Sequence, residues 1–148
     1  MKPYILLVED NPDDVELTKR AFANNRMANE IMVLTDGVAA CEFLFDRDCE
    51  GRGLPQLILL DLKMPKLSGL EILERIRHDP RTRLIPTVIL TATQHEEDLL
   101  RSYRSGVNSY IRKPVDFDEF VEAVRSIGLY WLVLNQAPPV PKPSETGE

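Results

Sequence analysis

None of the 148 residues falls in an apolar stretch approaching the ~20 that a membrane-spanning helix needs. The first apolar segment, Tyr4–Val8, is too short for the core of a signal peptide and runs at once into acids. A cytoplasmic chain without a membrane partner is therefore expected. Cysteine is scarce: Cys41 and Cys49 are the only two, which excludes a disulfide scaffold. No Cys/His grouping accompanies them, which excludes a structural zinc site, and both are expected as free thiols. A basic run is missing as well. With 18 Lys and Arg against 24 Asp and Glu, the net charge of −6 lacks the footprint of direct nucleic-acid binding. No glycine pattern of the Walker or dinucleotide kind follows a strand, which removes the common nucleotide sites.

What is present is a repeated alternation. Short aliphatic or β-branched runs at Tyr4–Val8, Glu30–Leu34, Leu57–Leu60, residues 87–90 and Ser109–Arg112 alternate with segments of helical spacing. That pattern predicts an α/β domain on a parallel sheet. Ile5-Leu6-Leu7-Val8 and Leu57-Ile58-Leu59-Leu60 are continuously apolar, as strands covered on both faces should be. Helices are expected from Pro12, over Gly37–Phe45, from Ser68 with Glu71, over residues 96–105, and from Asp116 with Glu119. Asp13 and Asp14 read as first-turn acids set against the positive end of a helix dipole. The folded domain should span residues 1–135, and the proline-rich segment 136–148 should be extended or disordered. Five βα units permit a doubly wound fold, whose ligands bind beyond the carboxyl ends of the strands.

The residues that end strands are therefore the candidates for chemistry. The first strand runs into Glu9 and Asp10, the third into Asp61, the fourth into Thr91, and the fifth into Lys113-Pro114. If the first and third strands are neighbours, three carboxylates converge and repel one another unless a cation joins them. Oxygen-only donors open to water suit Mg²⁺. The remaining groups fit phosphoryl transfer to a carboxylate, with Asp61 as nucleophile, Lys113 as a point charge for the product phosphate and Thr91 as one hydrogen-bond donor. Pro114 holds Lys113 extended and leaves a cis peptide open before it.

With these motifs in hand, the chain resembles the receiver domains of bacterial response regulators over residues 5–134. The match lies in Leu7-Val8-Glu9-Asp10-Asn11, in Leu59-Leu60-Asp61-Leu62-Lys63-Met64-Pro65 with Ser68-Gly69, in Thr91-Ala92, and in Tyr110-Ile111-Arg112-Lys113-Pro114. Motifs in this order are specific where any one alone is weak. The resemblance implies five strands in the flavodoxin-like order 2-1-3-4-5 with five helices, and Asp61 phosphorylated by a sensor histidine kinase. It implies Mg²⁺ held by Asp10, Asp61 and the backbone carbonyl of Lys63, with Glu9 contributing directly or through water. It assigns Thr91 and Tyr110 to a conformational switch. Lys63 and Thr93 stand where the family tunes loss of the phosphate. A narrower resemblance, to small regulators paired with phytochrome-type photoreceptor kinases, rests on Asn11-Pro12-Asp13-Asp14, the loop 46–56, Arg101-Ser102-Tyr103 and Gly128-Leu129-Tyr130-Trp131-Leu132-Val133-Leu134.

The last helix carries a core-facing stripe of Phe117, Phe120, Val121, Val124, Ile127, Gly128 and Trp131. Leu129, Leu132 and Val133 add a second apolar face, which a two-fold homodimer would cover. With no output domain after Asn135, signalling is expected through contacts with a downstream phosphotransfer or effector protein. The competing class is an aspartate-nucleophile phosphatase. Such enzymes place a second Asp two residues after the nucleophile, where this chain has Lys63, so a signalling module rather than an enzyme is expected.

Overall fold

A computed structural model describes residues 3–27, 29–46, 51–92, 95–113 and 116–134. Side-chain period two sends alternate residues of each strand to opposite faces of the sheet, and both faces are covered. The strands are β1 (Tyr4–Val8), β2 (Glu30–Leu34), β3 (Leu57–Leu60), β4 (Thr87–Thr91) and β5 (Ser109–Arg112), all parallel in the order β2-β1-β3-β4-β5. The helices are α1 (Pro12–Asn24), α2 (Gly37–Phe45), α3 (Gly69–His78), α4 (Glu96–Arg104) and α5 (Phe117–Gly128). Leu6, Val8, Ile58 and Leu60 point to the α2–α3 side, where Leu44, Ile72, Leu73 and Ile76 are fully buried. Ile5, Leu7, Leu57 and Leu59 point to the α1–α5 side, against Phe22, Phe120, Val124 and Ile127. Each such fully buried aliphatic side chain contributes about 1.5–3 kcal/mol. The sheet is thus the rigid middle layer on which the strand ends are held.

The helix starts follow the capping chemistry of the sequence. Asn11 caps α1 by accepting from the backbone N–H of Asp13 and Asp14 at 2.9 and 3.4 Å, with Pro12 at the first helical position. Ser68 and Glu71 form a reciprocal capping box at α3. Asp116 caps α5 through the N–H of Asp118, and Asp36, unremarked in the sequence, caps α2 through Ala39. Cys41 is a buried free thiol. Among the described residues no helix is long and apolar enough to cross a membrane.

Two expectations are corrected. The fourth strand extends one residue beyond 90, because Lys113 N–H donates to the Thr91 carbonyl and carries sheet pairing to the end of β4. Of the second apolar face expected of the last helix as Leu129, Leu132 and Val133, Leu132 is not part. After Gly128 the chain winds as a π-helical turn, Leu129–Leu134, which changes the angle between successive side chains. Leu132 is consequently turned to pack, with Trp131, against the α1–α5 cluster, while Leu129 and Tyr130 are exposed. The side chain of Val133 lies outside the described residues, as do Cys49, Thr93, Pro114 and the segment 136–148.

Candidate functional site

The connection out of β1 runs to β2 on one side, and β3 enters on the other, so the order of strands reverses between β1 and β3. The side chains that follow these two strands therefore stand on either side of one crevice. Their backbones are fixed by sheet bonds that continue past the strand ends. Asp61 N–H donates to the Val8 carbonyl and Glu9 N–H to the Leu34 carbonyl, both at 3.1 Å, and Lys113 N–H donates to the Thr91 carbonyl at 2.7 Å. The loop after β3 is pressed onto the same point, where Gly69 N–H donates to the Leu62 carbonyl at 3.1 Å. Within that loop Lys66 takes a positive φ of 70°, and Leu67 N–H donates to the Pro65 carbonyl at 2.8 Å, a tight and strained turn for a residue with a side chain.

The resulting cavity, about 280 Å³, is lined by Glu9, Asp10, Asn11, Asp14, Asp61, Lys63, Thr91, Ala92 and Lys113. Of the residues read from the strand ends, Glu9, Asp10, Asp61, Thr91 and Lys113 line it. Glu9, Asp10 and Asp61 each bring a carboxylate oxygen to within 4.8 Å of the others. Glu9 and Asp61 are buried and Asp10 is exposed, so the cluster opens to water on one side. Burial pushes the Glu9 carboxyl up to about 7, the neighbouring Asp61 charge adds to the rise, and the bond from Lys113 opposes it. For the Lys113 ammonium burial acts downward, but its bond to Glu9 and the charges of Asp61 and Glu9 outweigh it and hold the group above its ordinary range. Oxygen-only donors, crowded carboxylates and one face open to water all fit a divalent cation.

Thr91, the last residue of β4, is buried on the cavity wall. Tyr110 lies on the edge strand β5 beside Ile89 and packs partly buried against the α2–α3 cluster. Burial first, then the charges of Asp98 and Asp61, raise its phenol above the ordinary range. Lys63 lines the cavity, but its ammonium is engaged elsewhere. It pairs with Asp98 of α4 at 3.2 Å, so in this state its charge is not held over Asp61.

One residue at the site escaped the sequence reading. Asp14, taken there as a first-turn acid, reaches the Lys113 ammonium at 3.0 Å. The signal available was positional: the first turn of the helix after β1 lies over the carboxyl ends of the strands.

Comparison with known proteins agrees with this geometry. Residues 5–125 match the response regulator receiver domain family. Over 134 residues the chain is 42% identical to the "Probable methanogenesis regulatory protein FilR2" of Methanothrix harundinacea, covering 90% of this chain and 86% of that one. It is 37% identical over 129 residues to the response regulator Rcp1 of Synechocystis, covering 86% and 88% respectively. The crystal structure of the Mn²⁺-bound form of Rcp1 superposes with a TM-score of 0.84 over 93% of this chain and 99% of that one, at 35% identity. That of the phosphorylated cyanobacterial phytochrome response regulator RcpA superposes with a TM-score of 0.86 over 94% and 100%, also at 35% identity.

Proposed function

Because the chain belongs to the response regulator receiver domain family, we propose that it accepts a phosphoryl group on Asp61 from a sensor histidine kinase and relays that state through protein contacts. The observation that carries the reading is the meeting of Glu9, Asp10 and Asp61 within 4.8 Å, with the Lys113 ammonium 3.9 Å from Asp61. A carboxylate oxygen of Asp61 attacks the phosphorus of phosphohistidine. The new O–P bond forms as the P–N bond breaks, and the electron pair returns to the imidazole nitrogen, which takes up a proton. Glu9, Asp10, Asp61 and the backbone carbonyl of Lys63 are the groups that would hold the metal, which we take to be Mg²⁺. When bound, that ion supplies charge neutralisation for the carboxylates and for the phosphoryl oxygens. Lys113 places its ammonium against the product phosphate.

Thr91 donates its hydroxyl to a phosphoryl oxygen in the phosphorylated state, and Tyr110 turns inward behind it. That hydrogen bond exists only when phosphate is present, which gives the two states different energies and lets the site act as a switch. The similarity to RcpA and Rcp1 supports a phytochrome-type kinase as the donor, with a downstream phosphotransfer or effector protein as receiver of the signal. The exposed pair Leu129 and Tyr130 supports association of two copies through the C-terminal turn.

The test is incubation with Mg²⁺ and acetyl phosphate, followed by mass and turnover measurement. A single labile adduct in the wild-type protein, absent in Asp61→Asn, is the expected result. Rapid multiple turnover of phosphomonoesters would instead make the protein an enzyme of the aspartate-nucleophile class.

A further inference from the structure

The Lys113 ammonium is shared among three carboxylates. It is bonded to Glu9 and to Asp14, the latter at 3.0 Å, while Asp61 stands at 3.9 Å, beyond hydrogen-bond reach. We infer that Asp14 is a positioning residue for the phosphoryl-transfer reaction: it holds the Lys113 ammonium away from Asp61 in the resting state and competes for it when Asp61 carries phosphate. The inference rests on Asp61 being the acceptor.

Three observations carry it. Asp14 is the third residue of α1, and its place is fixed from two sides, by Pro12 at the helix start and by Asn11 accepting from its N–H. In a capping box the third-position side chain reaches back to the N–H of the capping residue. Here the Asn11 N–H donates to Glu9 at 3.3 Å instead, and the Asp14 carboxylate is directed to Lys113. Finally, the pair is sheltered, with the Lys113 side chain 10% exposed and that of Asp14 30%, so solvent screens it less than a surface ion pair.

An ammonium has three N–H groups. Glu9 and Asp14 engage the ammonium now, and a phosphoryl group on Asp61 brings three further oxygens that draw on the same donors. When the bond from Asp61 oxygen to phosphorus forms and the bond to the leaving group breaks, the added negative charge pulls Lys113 inward. Asp14 opposes that movement and weakens the lysine's hold on the product.

The experiment compares wild type with Asp14→Asn, Asp14→Glu and Asp13→Asn at saturating Mg²⁺. Asp13→Asn is the control: it removes the same charge one residue earlier, at an exposed position of the same helix turn. Beryllofluoride affinity and the half-life of the phosphorylated form are measured, together with the ¹⁵N-detected signal of the Lys113 ammonium in the unphosphorylated protein. Asp14→Asn should bind beryllofluoride roughly fivefold more tightly and hold phosphate correspondingly longer, as expected for loss of one competing, partly sheltered ion pair. Its Lys113 ammonium should exchange faster with water than in wild type. Asp13→Asn should match wild type, and Asp14→Glu should recover part of the effect. If wild type forms the adduct but Asp14→Asn and Asp13→Asn behave alike, the inference is wrong while the acceptor reading stands. If wild type takes no phosphoryl group or beryllofluoride at Asp61, both fail.

Discussion

Gly69 lies so close to Asp61 that a Cβ built at position 69 would stand 2.1 Å from the Asp61 carbonyl oxygen. The helix that follows the acceptor loop is thus packed directly on the acceptor's own backbone. Adding one methyl must push the two apart. Gly69→Ala should lower the unfolding free energy by about 1–3 kcal/mol, the usual cost of overpacking. It should also slow phosphorylation from acetyl phosphate by at least ~10-fold, since small misplacements of a reacting group are expensive. Denaturant melts and phosphorylation kinetics check both; an unchanged rate in a folded variant would mean that the contact does not position the acceptor.

Mg²⁺ should stabilise the protein against heat. The carboxylates of Glu9, Asp10 and Asp61 are crowded together in the folded chain and separated in the unfolded one, so a divalent cation binds the folded form preferentially. At about 100 times the dissociation constant the gain is ~2.7 kcal/mol, visible by calorimetry. Asp10→Asn should lose most of it. An equal Mg²⁺ response in wild type and Asp10→Asn would place the cation elsewhere.

Arg77 offers a contrast between stability and function. Its guanidinium donates to the carbonyls of Gly106, Arg83 and Ile85 and to the Asn108 side chain, at 2.7 to 3.0 Å. Asn108 in turn accepts from the Thr87 N–H, so one side chain ties the end of α3 to the starts of β4 and β5. Arg77→Ala should cost about 2–3 kcal/mol by leaving several acceptors without their charged donor. Phosphorylation at 20 °C should stay within about twofold of wild type, because the clamp lies at the opposite end of the strands from the site.

Self-association should depend on Leu129 rather than on Leu132. Leu129 is 45% exposed on the C-terminal turn, beside Tyr130 at 52%, whereas Leu132 packs on the core. Leu129→Glu should therefore shift sedimentation equilibrium toward monomer without a loss of stability, and Leu132→Glu should destabilise the fold. A concentration-independent monomer in both phosphorylation states would remove the dimer.

The strands and five of the site residues, Glu9, Asp10, Asp61, Thr91 and Lys113, were legible because their signals are local. A strand buried on both faces must be continuously apolar, as β1 and β3 are, and a polar group directly after it stands at the carboxyl edge of the sheet. Asp14 was not legible, because an acid in a first helical turn has a sufficient explanation in the helix dipole. Its role depends on Lys113, 99 residues away, and on Glu9 having taken the Asn11 N–H. Leu132 was misplaced because apolar spacing carries no mark of the change from α to π winding after Gly128. Arg77 gave no signal in the sequence, because its acceptors lie in irregular segments that no periodicity reveals.

Asp61, and no other carboxylate of the acidic cavity, should carry the phosphoryl group. Reduction with borohydride after treatment with acetyl phosphate and Mg²⁺ converts an aspartyl phosphate to homoserine, which peptide mass mapping locates. Conversion at residue 61 alone is the predicted result. Conversion at Glu9, Asp10 or Asp14, or at no residue, would mean that Asp61 is not the acceptor.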